Sequence, residues 1–248
     1  MSELVKSLDL FSCIGCHAIG FERAGIETAA LCESRPMRRA VLKDRFPGIP
    51  VHDDVKTFFT SAWDKPDIGS VDIVIGGPPC QQTSVAAAIH GKRTGESLWS
   101  YMRAIGVHLD TKWFVVEQPT GNEAWEAEVS DDLSFHGYHT SRVEFSASDI
   151  GAPYLRRRVF ILACTSMQRL EIAWSAIPSA IAAVKGAADA RGDWRPDKLG
   201  TLRVDALSAG EMERSESAIR KERIEALGDS NPPHMAEVIG RAIMETLS

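Results

Sequence analysis

The stretch Val71-Asp72-Ile73-Val74-Ile75-Gly76-Gly77-Pro78-Pro79-Cys80-Gln81 indicates a buried strand that ends in a rigid turn. Val71 to Ile75 is apolar enough for a strand inside a sheet, and the two prolines fix φ and prevent a helix from following at once. The turn presents the thiol of Cys80 at the carboxyl end of a strand, where open α/β sheets bind ligands. For a lone cysteine the usual alternative is a buried structural cysteine beside a tight loop, and it is the further motifs described below that favour a reactive thiol.

Further strand-like runs lie along the chain and alternate with amphipathic helical stretches. Helical spacing of apolar residues is clear at Pro36 to Phe46 and at Ser97 to Leu109, and a closing helix is expected from Asn231 to Leu247. This alternation predicts an α/β fold with a doubly wound, mostly parallel sheet. The connection from Ser146 to Arg158 has little helical pattern, so we expect the last two strands to form an antiparallel edge pair. The seven predicted strands are Val5–Phe11, Ile26–Cys32, Ile49–His52, Val71–Ile75, Trp113–Glu117, His139–Phe145 and Val159–Cys164.

The composition indicates one soluble domain with a small appendage. The chain has 248 residues, of which 44% are hydrophobic and 25% are charged. It has no apolar run of membrane-spanning length and no signal-like N-terminus, so we expect a cytoplasmic monomer that binds no membrane. Five cysteines without a secretion signal predict free thiols. The net charge of -6 argues weakly against a nucleic acid as partner, although residues 151–228 carry 13 Lys and Arg against 10 Asp and Glu.

The first predicted strand passes into a helix through the turn Asp9-Leu10-Phe11-Ser12-Cys13-Ile14-Gly15-Cys16. A turn of small residues lets a ligand approach the backbone, and an acidic residue about 20 positions further on can bind a ribose hydroxyl. Glu33 lies 18 residues after Gly15, at the end of the second strand, and fits this role. Cys13 and Cys16 also form a Cys-x-x-Cys pair, for which a metal or redox site is the alternative; no second cysteine or histidine pair completes a zinc set.

These motifs, with Glu117 after the fifth strand and the Arg-x-Arg at 156 and 158, resemble those of DNA cytosine-5 methyltransferases, in particular small phage or prophage-borne members. The resemblance runs from Asp9 to Phe160 and again from Gly228 to the C-terminus. It implies a Rossmann-like S-adenosylmethionine-dependent methyltransferase fold. It also implies that the protein acts in a bacterial host cell and methylates carbon 5 of cytosine in double-stranded DNA. It also implies a catalytic domain at 1–165, a small target-recognition insert at 166–227 and a C-terminal helix at 228–248 that returns to the catalytic domain.

The chemistry explains why the reacting groups are needed. Carbon 5 of cytosine is a poor nucleophile, so a thiolate, here that of Cys80, must first add at carbon 6. Glu117 can then hydrogen-bond the exocyclic amine and share a proton with ring nitrogen 3. Arg156 and Arg158 share one face of a strand, and one of them can hold the carbonyl oxygen of the base. Taken alone, Glu117 could be a polar strand end and the arginines a solvated basic patch. Because the target carbon is enclosed within the duplex, the nucleotide must be flipped out.

The resemblance also assigns residues to the cofactor and to DNA. For S-adenosylmethionine it implies a ribose contact from Glu33 and an adenine contact from Asp54. The full set of expected cofactor-binding residues is Asp9, Phe11, Gly15, Glu33, Asp54, Val55, Pro78 and Ser230. The glycines and cations from Ser84 to Ser97 are typical of a loop that closes over a substrate and touches phosphate, although the segment could equally be an inert mobile loop. The DNA contacts are expected at Gln81, Ser84, Lys92 and Arg93, and no metal is expected.

The chain departs from the family pattern in several motifs. Cys13 and Cys16 stand where glycines are usual, so side chains occupy space where the backbone normally meets the cofactor. Gln118-Pro119 replaces Asn-Val, Tyr154 replaces a glutamine, and Asp229 replaces an asparagine. None of these changes removes a reacting group.

The interval available for target recognition, Ile161 to Leu227, holds only 67 residues. So short an insertion predicts a short or loosely defined target. The groups best suited to groove or stacking contacts are Trp174, Trp194, Arg191, Arg195 and Arg203, although packing is the favoured role for each tryptophan. Two other functions remain open at this point: methylation of RNA such as transfer RNA by the same chemistry, and DNA binding without catalysis.

Overall fold

The computed structural model describes residues 4–59, 68–79, 97–194 and 216–247. Within these ranges seven strands form one sheet in the order β3-β2-β1-β4-β5-β7-β6. Strands β1 to β5 pair in parallel, whereas β7 runs antiparallel to both β5 and β6. The predicted α/β sheet with an antiparallel edge pair is therefore confirmed. The strands are β1 (Lys6–Leu10), β2 (Glu27–Cys32), β3 (Val51–His52), β4 (Ile73–Gly76), β5 (Trp113–Pro119), β6 (His139–Ser146) and β7 (Arg157–Cys164).

In the described residues, four helices alternate with the first strands of the chain, and three further helices follow the last strand. Those predicted near residues 36, 97 and 231 are present, with ends within three residues of the prediction. None of the helices in the described ranges is long and apolar enough to span a membrane. The helices are α1 (Cys16–Arg23), α2 (Pro36–Arg45), α3 (Trp99–His108), α4 (Glu123–Phe135), α5 (Met167–Arg191), α6 (Glu216–Asp229) and α7 (Pro233–Met244), with 3-10 turns at Val55–Thr57, Ala147–Ile150 and Glu245–Leu247.

The sheet is covered by helices on both faces because its central strands are apolar on both sides. Helices α1, α5 and α7 pack on one face, and α3 and α4 pack on the other. Gly20 of α1 lies against α7, where a Cβ would collide with the carbonyl oxygen of Pro233. Close approach of the two helices therefore depends on that glycine, and it places the segment before α7 beside the turn that follows β1.

The interval expected to hold target recognition begins with core structure. Helix α5 has 25 residues and buries one side, including Ile177 and Val184, in the core that it shares with α7. Trp194 follows the helix, donates its indole N–H to the carbonyl oxygen of Ile150 at 3.1 Å and packs on His234. Trp194 therefore has the packing role that was the alternative to recognition.

The other two recognition candidates in the described residues are Trp174 and Arg191. Trp174 of α5 is 55% exposed. Arg191 forms an ion pair with Asp193, with 2.8 Å between Nε and Oδ2. Arg195 and Arg203 lie outside the described residues.

Candidate active site

A cavity of about 560 Å³ opens at the carboxyl ends of the parallel strands. Its lining comes from Phe11 after β1, Glu33 after β2, Gly77 to Pro79 after β4 and Glu117 in β5. Strands β1 and β4 are neighbours at the point where the strand order reverses, and their helical connections leave the sheet on opposite sides. A crevice forms at such a switch point, so the topology itself places this cavity.

Glu117 and Arg158 form a buried ion pair in the cavity wall. Their strands β5 and β7 are antiparallel neighbours, and Nε of Arg158 lies 2.7 Å from Oε1 of Glu117. The contact is an ion pair rather than a well-directed hydrogen bond, so Oε1 keeps its capacity to accept one. Gly77 makes room for the carboxylate, because a Cβ there would lie 2.7 Å from Oε2 of Glu117. The pair thus presents a carboxylate and a guanidinium side by side to the cavity.

Arg156 lies two residues earlier but makes different contacts. Its Nε donates to Oδ1 of Asn231 at 3.0 Å, and its Nη2 donates to the carbonyl oxygen of Gly228 at 2.7 Å. Burial and the charge of Arg158 lower the pKa of Arg156. Of the two arginines, Arg158 lines the cavity, whereas Arg156 fastens the segment between α6 and α7.

Gln118 supports the turn that leads to Cys80. Its Nε2 donates to the carbonyl oxygen of Pro78 at 2.6 Å, and the side chain is 7% exposed. The hydrogen bond joins the end of β5 to the rigid turn after β4. This role of Gln118 was not predicted from the sequence, where Gln118-Pro119 was noted only as a replacement of the usual Asn-Val. Cys80 itself lies outside the described residues, as do the predicted DNA contacts Gln81, Ser84, Lys92 and Arg93.

Acidic side chains gather at the end of the cavity near β2 and β3. Glu33 is 6% exposed, and its two carboxylate oxygens accept the N–H groups of Cys13 at 2.9 Å and Arg35 at 2.8 Å. Asp54 caps the 3-10 turn Val55–Thr57. Both carboxylates line the cavity, together with Phe11, Val55 and Pro78. Carboxylate oxygens beside apolar surface suit the hydroxyl and amine donors of a nucleoside.

A second cavity of about 30 Å³ shares Glu117 with the first and is lined by Ser230 and His17. Asp9 is fully buried, and its Oδ1 lies 3.4 Å from Nδ1 of His17. Burial lowers the pKa of His17, but the hydrogen bond and charge of Asp9, with the charge of Glu117, outweigh burial and raise that pKa. Oδ2 of Asp9 and Nδ2 of Asn231 are buried without a hydrogen-bond partner. Unsatisfied buried atoms of this kind are suited to hold a polar ligand or water.

Helices α2 and α6 close the remaining wall. Nη2 of Arg38 donates to Oδ2 of Asp229 at 2.5 Å, and Nη1 of Arg35 donates to Oε2 of Glu225 at 2.9 Å. The thiol of Cys13 donates to the carbonyl oxygen of Ala226 at 3.3 Å. The end of α6 is thereby attached both to α2 and to the turn after β1.

Cys13 and Cys16 are packing residues rather than exposed thiols. They belong to a small apolar cluster with Met37, Val41 and Ala226. Burial raises the pKa of Cys13 to about 12 and that of Cys16 to about 11. Among the described residues, no group of three or more His, Cys, Asp or Glu side chains could hold a metal ion.

Three of these site residues were not identified from the sequence. His17 follows Asp9 by eight positions and lies on the inner face of α1, a pattern that could have been noticed once strand and helix were placed. Arg38 and Asn231 are brought to the site by contacts between segments far apart in the chain, for which no local signal exists. Of the predicted cofactor residues, Gly15 begins α1 with a φ of +83° and, like Asp9, is not part of the cavity lining.

The chain is similar to known methyltransferases. The family model described as C-5 cytosine-specific DNA methylase matches residues 5–193. Type II methyltransferase M.AquIA from Picosynechococcus sp. is 32% identical over 180 residues, which are 63% of this chain and 71% of that protein. Type II methyltransferase M2.BsuMI from Bacillus subtilis is 28% identical over 169 residues, which are 64% of this chain and 42% of that protein.

A solved structure supports the same fold. The crystal structure of a DNMT2 mutant from Spodoptera frugiperda matches with a TM-score of 0.53 and 20% identity, over 66% of this chain and 51% of that one. The chain thus spans about half of that structure and less than half of the Bacillus subtilis protein. At this identity the likeness concerns the fold, and it confirms the fold that was predicted.

Proposed function

Because the chain belongs to the family of C-5 cytosine-specific DNA methylases, we propose that it transfers a methyl group from S-adenosylmethionine to carbon 5 of cytosine in double-stranded DNA. One observation carries the proposal: the buried Glu117–Arg158 pair lines a cavity beside Pro79, the residue directly before Cys80. A carboxylate, a guanidinium and a thiol at one site are the groups that the addition chemistry needs.

In the proposed mechanism, the thiolate of Cys80 adds to carbon 6 of the base, and the electron pair of the 5,6 double bond moves into the ring. Nitrogen 3 takes up this charge by sharing a proton with the carboxyl group of Glu117, which also accepts a hydrogen bond from the exocyclic amine. Arg158 holds the carbonyl oxygen through N–H groups of its guanidinium. Carbon 5 then forms the bond to the methyl carbon as the bond between that carbon and the sulfonium sulfur breaks, and the electron pair of the broken bond stays on sulfur. Loss of the proton from carbon 5 and departure of the thiolate restore the double bond.

The residues around the larger cavity fit the methyl donor. When bound, S-adenosylmethionine supplies an electrophilic methyl group on a sulfonium. Glu33 and Asp54 provide carboxylates for its hydroxyl and amine groups, and Phe11 and Val55 provide apolar surface. These residues would hold the nucleoside part at the β2 end and leave the Glu117 end for the base.

The proposal requires the cytosine to leave the duplex. Glu117 is only 7% exposed, at the bottom of the crevice, and a base stacked in DNA cannot reach it. Flipping the nucleotide brings its Watson–Crick edge to Glu117 and Arg158. In this reading the segment from Ser84 to Ser97 closes over the flipped base, with Gln81, Ser84, Lys92 and Arg93 as DNA contacts.

Trapping with 5-fluorocytosine tests the function. In DNA that carries this base, fluorine cannot leave carbon 5 as a proton does, so the thioether to Cys80 should persist after methyl transfer. We expect a denaturation-resistant protein–DNA adduct that requires S-adenosylmethionine and is absent in Cys80→Ser. Mass spectrometry of the digested adduct identifies the attached residue.

Cys164→Ser provides the matched control, because Cys164 is a buried thiol at the opposite end of the sheet, paired with Trp113. This variant should form the adduct as the wild type does. An adduct that survives in Cys80→Ser would contradict the assignment of the nucleophile. An adduct on fluorinated transfer RNA but not on DNA would contradict the substrate.

A further inference from the structure

We propose that Arg38 binds the carboxylate of the methionine arm of S-adenosylmethionine, an inference that rests on the function proposed above. Arg38 lies in α2, and its side chain is 7% exposed although it carries a charge. It lines the larger cavity together with Cys13 and Asp229. Nη2 is used by Asp229, but Nε is buried without a hydrogen-bond partner. A buried guanidinium with an unused N–H is costly unless a ligand accepts from it.

The shape of the cavity indicates which part of the donor reaches Arg38. The sulfonium carries three substituents, which must leave the sulfur in three directions. The methyl group must face Glu117, and the nucleoside occupies the end with Glu33 and Asp54. A further part of the lining is formed by Cys13, by Arg38 and by Gly228 and Asp229 at the end of α6. The methionine arm is therefore directed to this wall.

Charge favours the same contact. The carboxylates of Glu33, Asp54, Glu117 and Asp229 all line the larger cavity, so a further carboxylate would be repelled there without a cation. Arg158 pairs with Glu117, and Arg35 pairs with Glu225 on the outside of α6. Arg38 pairs with Asp229 but keeps a buried Nε without a hydrogen-bond partner. Arg38 is the buried cation on the wall that the methionine arm faces.

Two backbone amides of the turn after β1 already have partners and are not available to the ligand carboxylate. The N–H of Cys13 already donates to Glu33 at 2.9 Å, and the N–H of Gly15 donates to the carbonyl oxygen of Ser12 at 2.7 Å. Cys13 also places a thiol between this turn and α6. With these amides used internally, a side-chain cation supplies the donors that the carboxylate needs.

Calorimetric binding of two ligands tests the inference. S-adenosylmethionine and decarboxylated S-adenosylmethionine share the nucleoside, the sulfonium and the amine, and differ in the carboxylate. The wild type should bind the first about 10- to 100-fold more tightly, as expected for a charge-assisted hydrogen bond. Arg38→Met should lose this preference by weakening only the first ligand, and Arg38→Lys should retain part of it.

Arg45→Met is the matched control, because it removes a cation of the same helix α2 that donates to the carbonyl oxygen of Ile14 and is not part of the cavity lining. Its preference between the two ligands should equal that of the wild type. If Arg38→Met weakened both ligands equally, or if the wild type bound both equally, Arg38 would have only a structural role. A wild type that binds neither ligand would overturn the proposed function as well, whereas an intact preference in Arg38→Met overturns this inference alone.

Discussion

Cys13 holds a backbone conformation that suits glycine better than cysteine. Its φ is +51°, in the left-handed region, and the side chain packs with Met37 and Ala226. A Cβ in that region costs about 1–2 kcal/mol relative to the right-handed region. The family's usual glycine at this position therefore has a conformational reason, and the cysteine retains the same backbone at a cost in stability.

At position 13 we expect the glycine variant to be more stable than the alanine variant, which is the reverse of the usual order. Cys13→Gly should be more stable to urea than Cys13→Ala by about 1 kcal/mol, because both lose the thiol but only alanine keeps the strained Cβ. At Cys32, inside β2, the order should be the usual one, with the alanine variant more stable. Equal stabilities of the two Cys13 variants would show that the turn relaxes when the thiol is removed.

The thiols of Cys13 and Cys16 are expected to have low chemical reactivity. Burial raises the pKa of Cys13 to about 12 and that of Cys16 to about 11, so both are protonated at neutral pH. Since the thiolate is the form that is oxidised or binds a metal, the redox and metal interpretations of the Cys-x-x-Cys lose support. Packing against α6 accounts for both side chains.

At the scale of elements, the Asp9–His17 pair joins β1 to α1 and makes stability depend on pH. The pKa of His17 is raised above 6.5, chiefly because the hydrogen bond and charge of Asp9 overcome burial. A group whose pKa is higher in the folded protein stabilises it fully below its unfolded pKa, and the contribution disappears as pH rises through the folded pKa.

The stability difference between wild type and His17→Phe should therefore shrink as pH rises from about 6.5 through the raised pKa of His17. Urea unfolding of both proteins at fixed salt concentration and several pH values measures this difference in the free energy of unfolding. His139→Phe serves as control for the substitution itself, since His139 is exposed on the edge strand β6. A difference for His17→Phe that grows with pH would mean that the neutral imidazole is the stabilising form.

Helix α6 lies where target recognition was expected, yet its end is part of the cofactor cavity. Arg35 and Arg38 hold this end to the neighbouring α2 segment, and Arg156 donates a hydrogen bond to the carbonyl oxygen of Gly228. Helix α5 is likewise committed to the core. We propose that recognition within the interval 166–227 falls mainly to the residues between these two helices.

At the scale of the whole molecule, this division predicts a short target. Direct readout needs side chains that reach base edges in a groove, and few residues remain for it once α5 and the end of α6 are used for packing. Bisulfite sequencing of DNA from cells that express the chain should show methylated cytosines in a context of few defined bases. Cells that express Cys80→Ser supply the background. A long, fully defined target sequence would contradict this assignment.

Much of the fold could be predicted because it follows from local periodicity. The strand Val71–Ile75, the helix from Pro36 and the antiparallel pair at the sheet edge each follow from a pattern of a few residues. The observed ends differ by only a few positions, since caps and frayed turns depend on neighbours. The switch-point cavity also follows from the order of elements, once strands β1 and β4 are adjacent.

Local sequence patterns were enough to predict the layered α/β architecture, the turn that leads to Cys80 and the candidate set Glu117, Arg156 and Arg158. Contacts between distant segments were needed to show that Arg158 meets Glu117, that Arg156 holds the segment before α7 and that Arg38 is buried in the cavity wall. The reason is physical: strand and helix periodicity is written in neighbouring residues, whereas the partner of a long charged side chain depends on which distant segments the core brings together.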